Sequence, residues 1–464
     1  MLSNSAAARD IEHILHGYVD LKKYRESGPT IMTGGKGIYV YDENGTPYIE
    51  GVGGMWCTSL GFGEKELIEA AVEQFHKLPY YYMGAYKSVN PAIDLAERLS
   101  EIAPVNKPKI YFALSGSEAN DFLVKFIRYY NNSIGRPLKK KIISRHMGYH
   151  GATAMSGSLS GLPVNHMKFD LPLPGILHTA NPNYYHDARD GESPAEFGER
   201  LARELEEMIL REGPETVAAF IAEPVAGAGG VVIPPAPYYA KVQEVLQRHD
   251  VLFLADEVIT GFHRTGELWG CDTMGIKPDT MTLAKGISSA YLPLAALVLP
   301  DEIYQGLEKG SSEIGFFGHG TTYSGHPVCC AVGLKVLDII RQRNLGEHVK
   351  TVSKRFIKRL NGFRDHPMVG DVRAVGLVGA VEFVANKRTK TFFNPPGAFA
   401  RRVRELAEQK YHMICRLLPG SDACAFSPPI IITEAEIDEM FDRFGRALDE
   451  VTAEYARENN GLPA

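Results

Sequence analysis

The strongest constraint on this chain is a series of short apolar runs that are continuous rather than alternating. Ile110–Leu114, Lys141–Arg145, Val217–Ala222, Val251–Ala255, Thr280–Ala284 and Ala295–Leu299 all read this way. Strands with one face in water alternate in polarity, whereas strands buried on both faces do not. Helical patterns separate the runs, among them Ser117–Tyr130, Ala195–Leu210 and Pro237–Arg248. Strand and helix in turn imply an α/β fold with a mostly parallel sheet wrapped by helices. At 464 residues and 44% apolar content the chain can bury a substantial core.

The ends have a different rhythm. Residues Gly37–Tyr41 and Tyr48–Glu50 flank an Asn44-Gly45 turn and read as a small hairpin. Past Pro327 come helices at Pro327–Arg341 and Val349–Phe363, then a hairpin-like Val369–Val384. Two further helices, Pro396–Lys410 and Glu434–Glu454, bracket Met413–Ile431. The expected division is an N-terminal segment (1–65) joining a C-terminal α+β domain (326–464), with a large domain (66–325) between them. Ser160–Pro194 is rich in Pro, Gly, Asn and His and reads as a long functional loop.

Composition narrows the partners. Net charge is −6, and only the Lys139-Lys140-Lys141 run clusters basic residues, so nucleic acid is not expected. No run of about 18 apolar residues occurs, and Met1–Asp10 carries no apolar signal core, so no membrane span or signal peptide is expected. The six cysteines show no CxxC or Cys/His spacing. Reduced thiols in a cytoplasmic enzyme, with no metal site, are the expectation.

Three fragments carry chemistry. Ser115-Gly116-Ser117 lies between an apolar strand and an amphipathic helix, where free N–H groups and the helix dipole favour phosphate. An ordinary N-cap would look the same. Asp256-Glu257 ends a buried strand, the place where open α/β sheets bind ligands. One carboxylate could hold a cationic ring nitrogen and the other a nearby loop, although a metal-binding pair or a plain strand end fits as well. Lys285-Gly286 ends another buried strand. Burial makes a lysine a usable nucleophile and base, unless the side chain snorkels out to water. Together, a phosphate cradle, a strand-end acid and a strand-end lysine are what pyridoxal 5'-phosphate requires.

The wider pattern resembles the class III aminotransferases. It comprises Gly35–Asp42, Gly51–Gly63, the Ser115–Asn120 loop, Gly148-Tyr149-His150-Gly151, Ala222-Glu223-Pro224-Val225, Leu254–Gly266, Asp279, Ala284-Lys285-Gly286 and Gly320–Pro327. The resemblance implies a fold-type-I enzyme with a seven-stranded sheet and a small domain drawn from both termini. It also implies a homodimer, or a tetramer built from it, with active sites at the subunit interface. Lys285 would carry pyridoxal phosphate as a Schiff base and move the proton, and Asp256 would bind the pyridine nitrogen. Tyr149 and Val258 would cover the two ring faces, with His150 alongside and Glu223 near the phenolic side. Ser115, Gly116 and Ser117 would hold the phosphate, joined by Thr322 of the neighbouring subunit. Amine and keto acid would then exchange by ping-pong kinetics.

Trp56 and Arg416 resemble the amine:pyruvate, or ω-aminotransferase, branch, where the matching arginine grips a carboxylate or swings aside for an apolar amine. That branch implies substrate contacts from Trp56, Tyr86, Ala228 and Arg416, with pyruvate as acceptor. Gly84 and Ala85 depart from its pattern and could widen the pocket. Rival readings are a 2-oxoglutarate-dependent member, a decarboxylase or an aminomutase of the same family. Outside it stands a dinucleotide-dependent oxidoreductase, suggested by Ala226–Gly230 but lacking GxGxxG.

Overall fold

The structure, a computed structural model, describes residues 4–459. The outermost parts of the two terminal segments, residues 1–3 and 460–464, lie outside the described residues. At the centre is a seven-stranded sheet. Its order across the sheet is Lys109–Ala113, Ala295–Leu299, Thr280–Leu283, Leu252–Asp256, Val217–Ala222, Lys141–Arg145, Ile176–Thr179. Only Ala295–Leu299 runs against the rest, pairing antiparallel with both neighbours.

Why these strands show no alternation is visible in their packing. Phe220, Ala222, Phe253, Ala255, Met281 and Leu283 enter one apolar cluster. Their chain neighbours Ala219, Ile221 and Leu254 enter a second, shared with Ala119, Leu123 and Ile127 of helix Gly116–Ser133. Both faces of each strand are therefore buried, and each must be apolar.

One strand differs from expectation. Ile176–Thr179 forms the sheet edge inside the segment read as loop, pairing parallel with Lys141–Arg145 alone. With four residues, two of them His178 and Thr179, it offers too brief an apolar signal to separate from the surrounding Pro and Gly. The N-terminal hairpin gains a strand, Met32–Lys36, and its inner strand Pro47–Glu50 pairs in parallel with Met413–Ile414. Chain ends far apart in sequence thus share one four-stranded sheet. A second four-stranded sheet contains the hairpin Val369–Val375/Val378–Phe383 with Ala423–Phe426 and Arg416–Leu417. Among the described residues no helix is long and apolar enough to cross a membrane.

Candidate functional site

Five parallel strands deliver their carboxyl ends to one place. Lys109–Ala113 leads to Ser115–Ser117, Lys141–Arg145 to Tyr149 and His150, and Val217–Ala222 to Glu223. Leu252–Asp256 ends on Asp256, and Thr280–Leu283 leads to Lys285. These residues line a cavity of about 530 Å³, together with Trp56, Ala228, Val258 and Arg416. Twelve of the residues singled out from sequence therefore meet in space. Two do not. Tyr86 is fully exposed, and Thr322 sits at the surface with its carbonyl accepting from the Tyr80 hydroxyl at 2.8 Å. A second cavity, about 610 Å³ and lined by Tyr185, Arg189, Arg373 and Lys390 among others, contains none of the fourteen.

The carboxylates at the strand end separate as their surroundings dictate. Asp256 is 3% exposed. Its Oδ2 faces His150 Nδ1 at 2.8 Å and accepts from Asn120 Nδ2 at 2.9 Å, while Oδ1 accepts the Val258 N–H at 3.1 Å. Glu257 points to the other side of the strand, as alternation requires. It accepts the N–H groups of Gly270 and Cys271 at 2.9 and 2.6 Å, and so caps helix Gly270–Met274. Burial raises the Glu257 carboxyl above its ordinary value, with these donors acting in opposition. Asp256 faces the cavity, and Glu257 anchors structure.

Lys285 occupies a short 3-10 turn with φ +48, a left-handed conformation costly for any side chain. Burial pushes its ammonium below the ordinary lysine value, opposed mainly by Asp256. Its Nζ lies 5.9 Å from the Trp56 ring centroid. Glu223 accepts the N–H of Tyr149 and of Gly227, both at 2.9 Å, which immobilises it beside the cavity. The Ala226–Gly230 segment is a turn closed by an Ala226–Val232 bridge and does not open a helix. A Cβ at Gly229 would meet the Met147 carbonyl at 1.9 Å, so glycine is required by close packing rather than by a dinucleotide.

Arg416 also lines the cavity. Its Cζ lies 5.0 Å over the Trp56 ring and 5.9 Å over that of Tyr18. Its Nε is buried without a partner among the described residues. Tyr18 is not singled out by sequence: Ile11, Ile14, Leu15 and Tyr18 recur at helical spacing, and nothing local in that pattern ties the segment to the distant strand ends. Its hydroxyl is 2.9 Å from that of Tyr149. Leu162 and Asn165, from the segment read as a loop, also line the cavity.

The site fits pyridoxal phosphate. Helix Gly116–Ser133 directs its first N–H groups at the cavity, with Ser115 as N-cap accepting from Glu118 at 3.2 Å. At Gly116 a Cβ would meet the Val258 side chain at 3.0 Å, so glycine lets this turn pack directly against Val258, itself a residue of the cavity wall.

Comparison with known proteins settles the family. The model for "Aminotransferase class-III" matches residues 22–448. The chain is a class III aminotransferase. Such enzymes depend on pyridoxal phosphate and have fold type I. A probable gamma-aminobutyrate transaminase 2, mitochondrial, from Oryza sativa subsp. indica is 48% identical over 421 residues, covering 90% of this chain and 84% of the relative. The structure of the omega transaminase from Pseudomonas jessenii in complex with PMP superposes with a TM-score of 0.95 at 47% identity, covering 97% of this chain and 99% of that one. A transaminase with L-ala gives 0.90 at 47% identity, covering 92% and 100%.

Proposed function

We propose that this aminotransferase moves the amino group of an amine or ω-amino acid to a small keto acid, pyruvate foremost, by a ping-pong cycle. The observation that carries this reading is Arg416. Besides Lys285 it is the one strongly basic side chain among the residues lining the cavity. One guanidinium satisfies one carboxylate bidentately. The second carboxylate of 2-oxoglutarate would be desolvated without a cation of its own, at a cost of several kcal/mol. The rings of Trp56 and Tyr18 beside Arg416 supply apolar walls for an uncharged amine. The names of the rice relative and of the L-ala complex fit a monocarboxylate at both ends of the cycle.

Each side chain has a role in this reading. The amides of Gly116 and Ser117 would bind the phosphate, and Tyr149 and Val258 would hold the ring. Asp256, with Oδ1 free of side-chain partners, would hold the ring nitrogen and keep it protonated, and Glu223 would stand near the phenolic side. When bound, pyridoxal phosphate supplies the electron sink and carries the amino group. Lys285, its proton affinity lowered by burial, takes the proton from the substrate carbon and returns it. Trp56, Ala228 and Arg416 select the substrate. Thr322 and Tyr86, both exposed, would act on the cavity of a second copy across a dimer interface. The parallel pairing of Pro47–Glu50 with Met413–Ile414 supports reading 1–65 and 326–464 as one small domain beside 66–325. We place the enzyme in the cytoplasm, where its free thiols stay reduced.

The test compares half-reactions of alanine and of a neutral aryl-alkyl amine in wild type and Arg416→Ala. A charge-assisted bidentate contact is worth roughly 10- to 100-fold in affinity. The alanine half-reaction should weaken by that factor and the neutral amine should change little. Equal losses, or strong wild-type activity with 2-oxoglutarate, would overturn the reading.

A further inference from the structure

Asn120 is 1% exposed, on the buried face of helix Gly116–Ser133, one turn in from the phosphate-binding end. Asparagine is a poor choice inside a helix and an expensive group to bury, so its amide must have a use. Both Nδ2 hydrogens are engaged, one by the His150 carbonyl at 2.7 Å and one by Asp256 Oδ2 at 2.9 Å. The Oδ1 atom is buried without a partner among the described residues. This orientation of the amide is dictated chemically, because a flip would set Oδ1 against a carbonyl and a carboxylate, two acceptors.

The two contacts join three chain segments that are distant in sequence. Helix Gly116–Ser133 begins at the phosphate cradle, the 147–151 loop carries Tyr149, and the strand Leu252–Asp256 carries the acid. His150 is tied into the same joint by its ring Nδ1, 2.8 Å from Asp256 Oδ2, and by its N–H, accepted by Ser160 Oγ at 2.8 Å. Two side chains thus converge on Oδ2, leaving Oδ1, with one backbone donor, as the oxygen able to address a ligand.

We propose that Asn120 is a positioning residue for the transamination itself, fixing the Asp256 carboxylate through Oδ2 so that Oδ1 is the oxygen that would meet the cofactor ring nitrogen. This rests on the reading of Asp256 given above. The role requires a donor at position 120 and tolerates neither an apolar group nor a second negative charge.

The experiment measures pyridoxal phosphate affinity of the cofactor-stripped protein, kcat and KM for the amine, and melting temperature. The variants are Asn120→Ala, Asn120→Asp and, as control, Asp256→Asn. Loss of one charge-assisted donor predicts a fall in kcat of roughly 10- to 100-fold in Asn120→Ala, with KM for the amine nearly unchanged and cofactor affinity reduced. Asn120→Asp should lose more at pH 8 and recover as pH falls, because protonation of the new carboxyl restores a donor; Asn120→Ala should show no such recovery. Wild-type kcat and cofactor affinity in Asn120→Ala would overturn the proposal. So would equal losses in both variants with parallel pH profiles and lowered melting temperatures, which mark a purely structural residue. Should Asn120→Asp not fold, the split between kcat and KM in Asn120→Ala decides. If Asp256→Asn is crippled while Asn120→Ala matches wild type, this inference alone falls; if Asp256→Asn is itself active, the reading of Asp256 falls first.

Discussion

At the scale of single residues, the site is a set of groups held where they are costly. Lys285 combines a desolvated ammonium with a left-handed backbone, and neither feature helps the protein fold. Replacing it tests function and stability in opposite directions. Lys285→Ala should fold, and its cofactor-stripped form should melt no lower than stripped wild type, because a poorly solvated charge has gone. Borohydride, which reduces carbon–nitrogen double bonds, should fix cofactor to the Lys285 peptide in wild type and to no peptide in the variant. Cofactor trapped on another lysine of Lys285→Ala, read by peptide mass spectrometry, would contradict the assignment.

At the scale of elements, the carboxyl ends of the strands set the chemistry, and the edge strand Ile176–Thr179 carries a histidine whose burial opposes its protonation. His178 on that strand is held to about 4, below the ordinary histidine value, first by burial and then by the charges of His146 and His166. An unfolded chain takes up this proton near pH 6.5, whereas the folded chain resists until about pH 4. The stability that neutral His178 contributes is therefore complete above pH 6.5 and is lost as pH falls toward 4. Melting temperature followed from pH 7 to pH 4.5 should fall more gently in His178→Asn than in wild type. Parallel curves would show that this strand does not govern the acid limb.

At the scale of the whole molecule, a set of large aromatic side chains stands exposed among the described residues. Tyr86, Phe316 (73% exposed) and Tyr323 (54%) contribute to it, and Tyr80 packs edge-on against Tyr323 with ring centroids 6.0 Å apart. Exposed apolar area of this kind marks an interface, and the proposed homodimer would cover it and bring Thr322 to a second cavity. Sedimentation should give a dimer for wild type and a smaller, inactive species for the paired Phe316→Glu and Tyr323→Glu variant. A variant that stays dimeric and active would move the interface elsewhere. The sequence alone was sufficient for six of the seven strands, because strands such as Val217–Ala222 are apolar throughout and burial on both faces explains that, whereas the edge strand Ile176–Thr179 reads as loop. The sequence also placed Lys285, the Asp256-Glu257 pair and the Ser115–Ser117 turn at strand and helix ends, which are local features. Tertiary structure alone decided the rest. Asp256 and Glu257 are adjacent carboxylates with one local signature, and only the groups packed on each side of the strand assign one to the cavity and the other to a helix cap. Tyr18 and Asn120 joined the site through contacts 131 and 136 residues away in the chain. No local periodicity encodes such contacts, because they exist only once the sheet has brought its strand ends together.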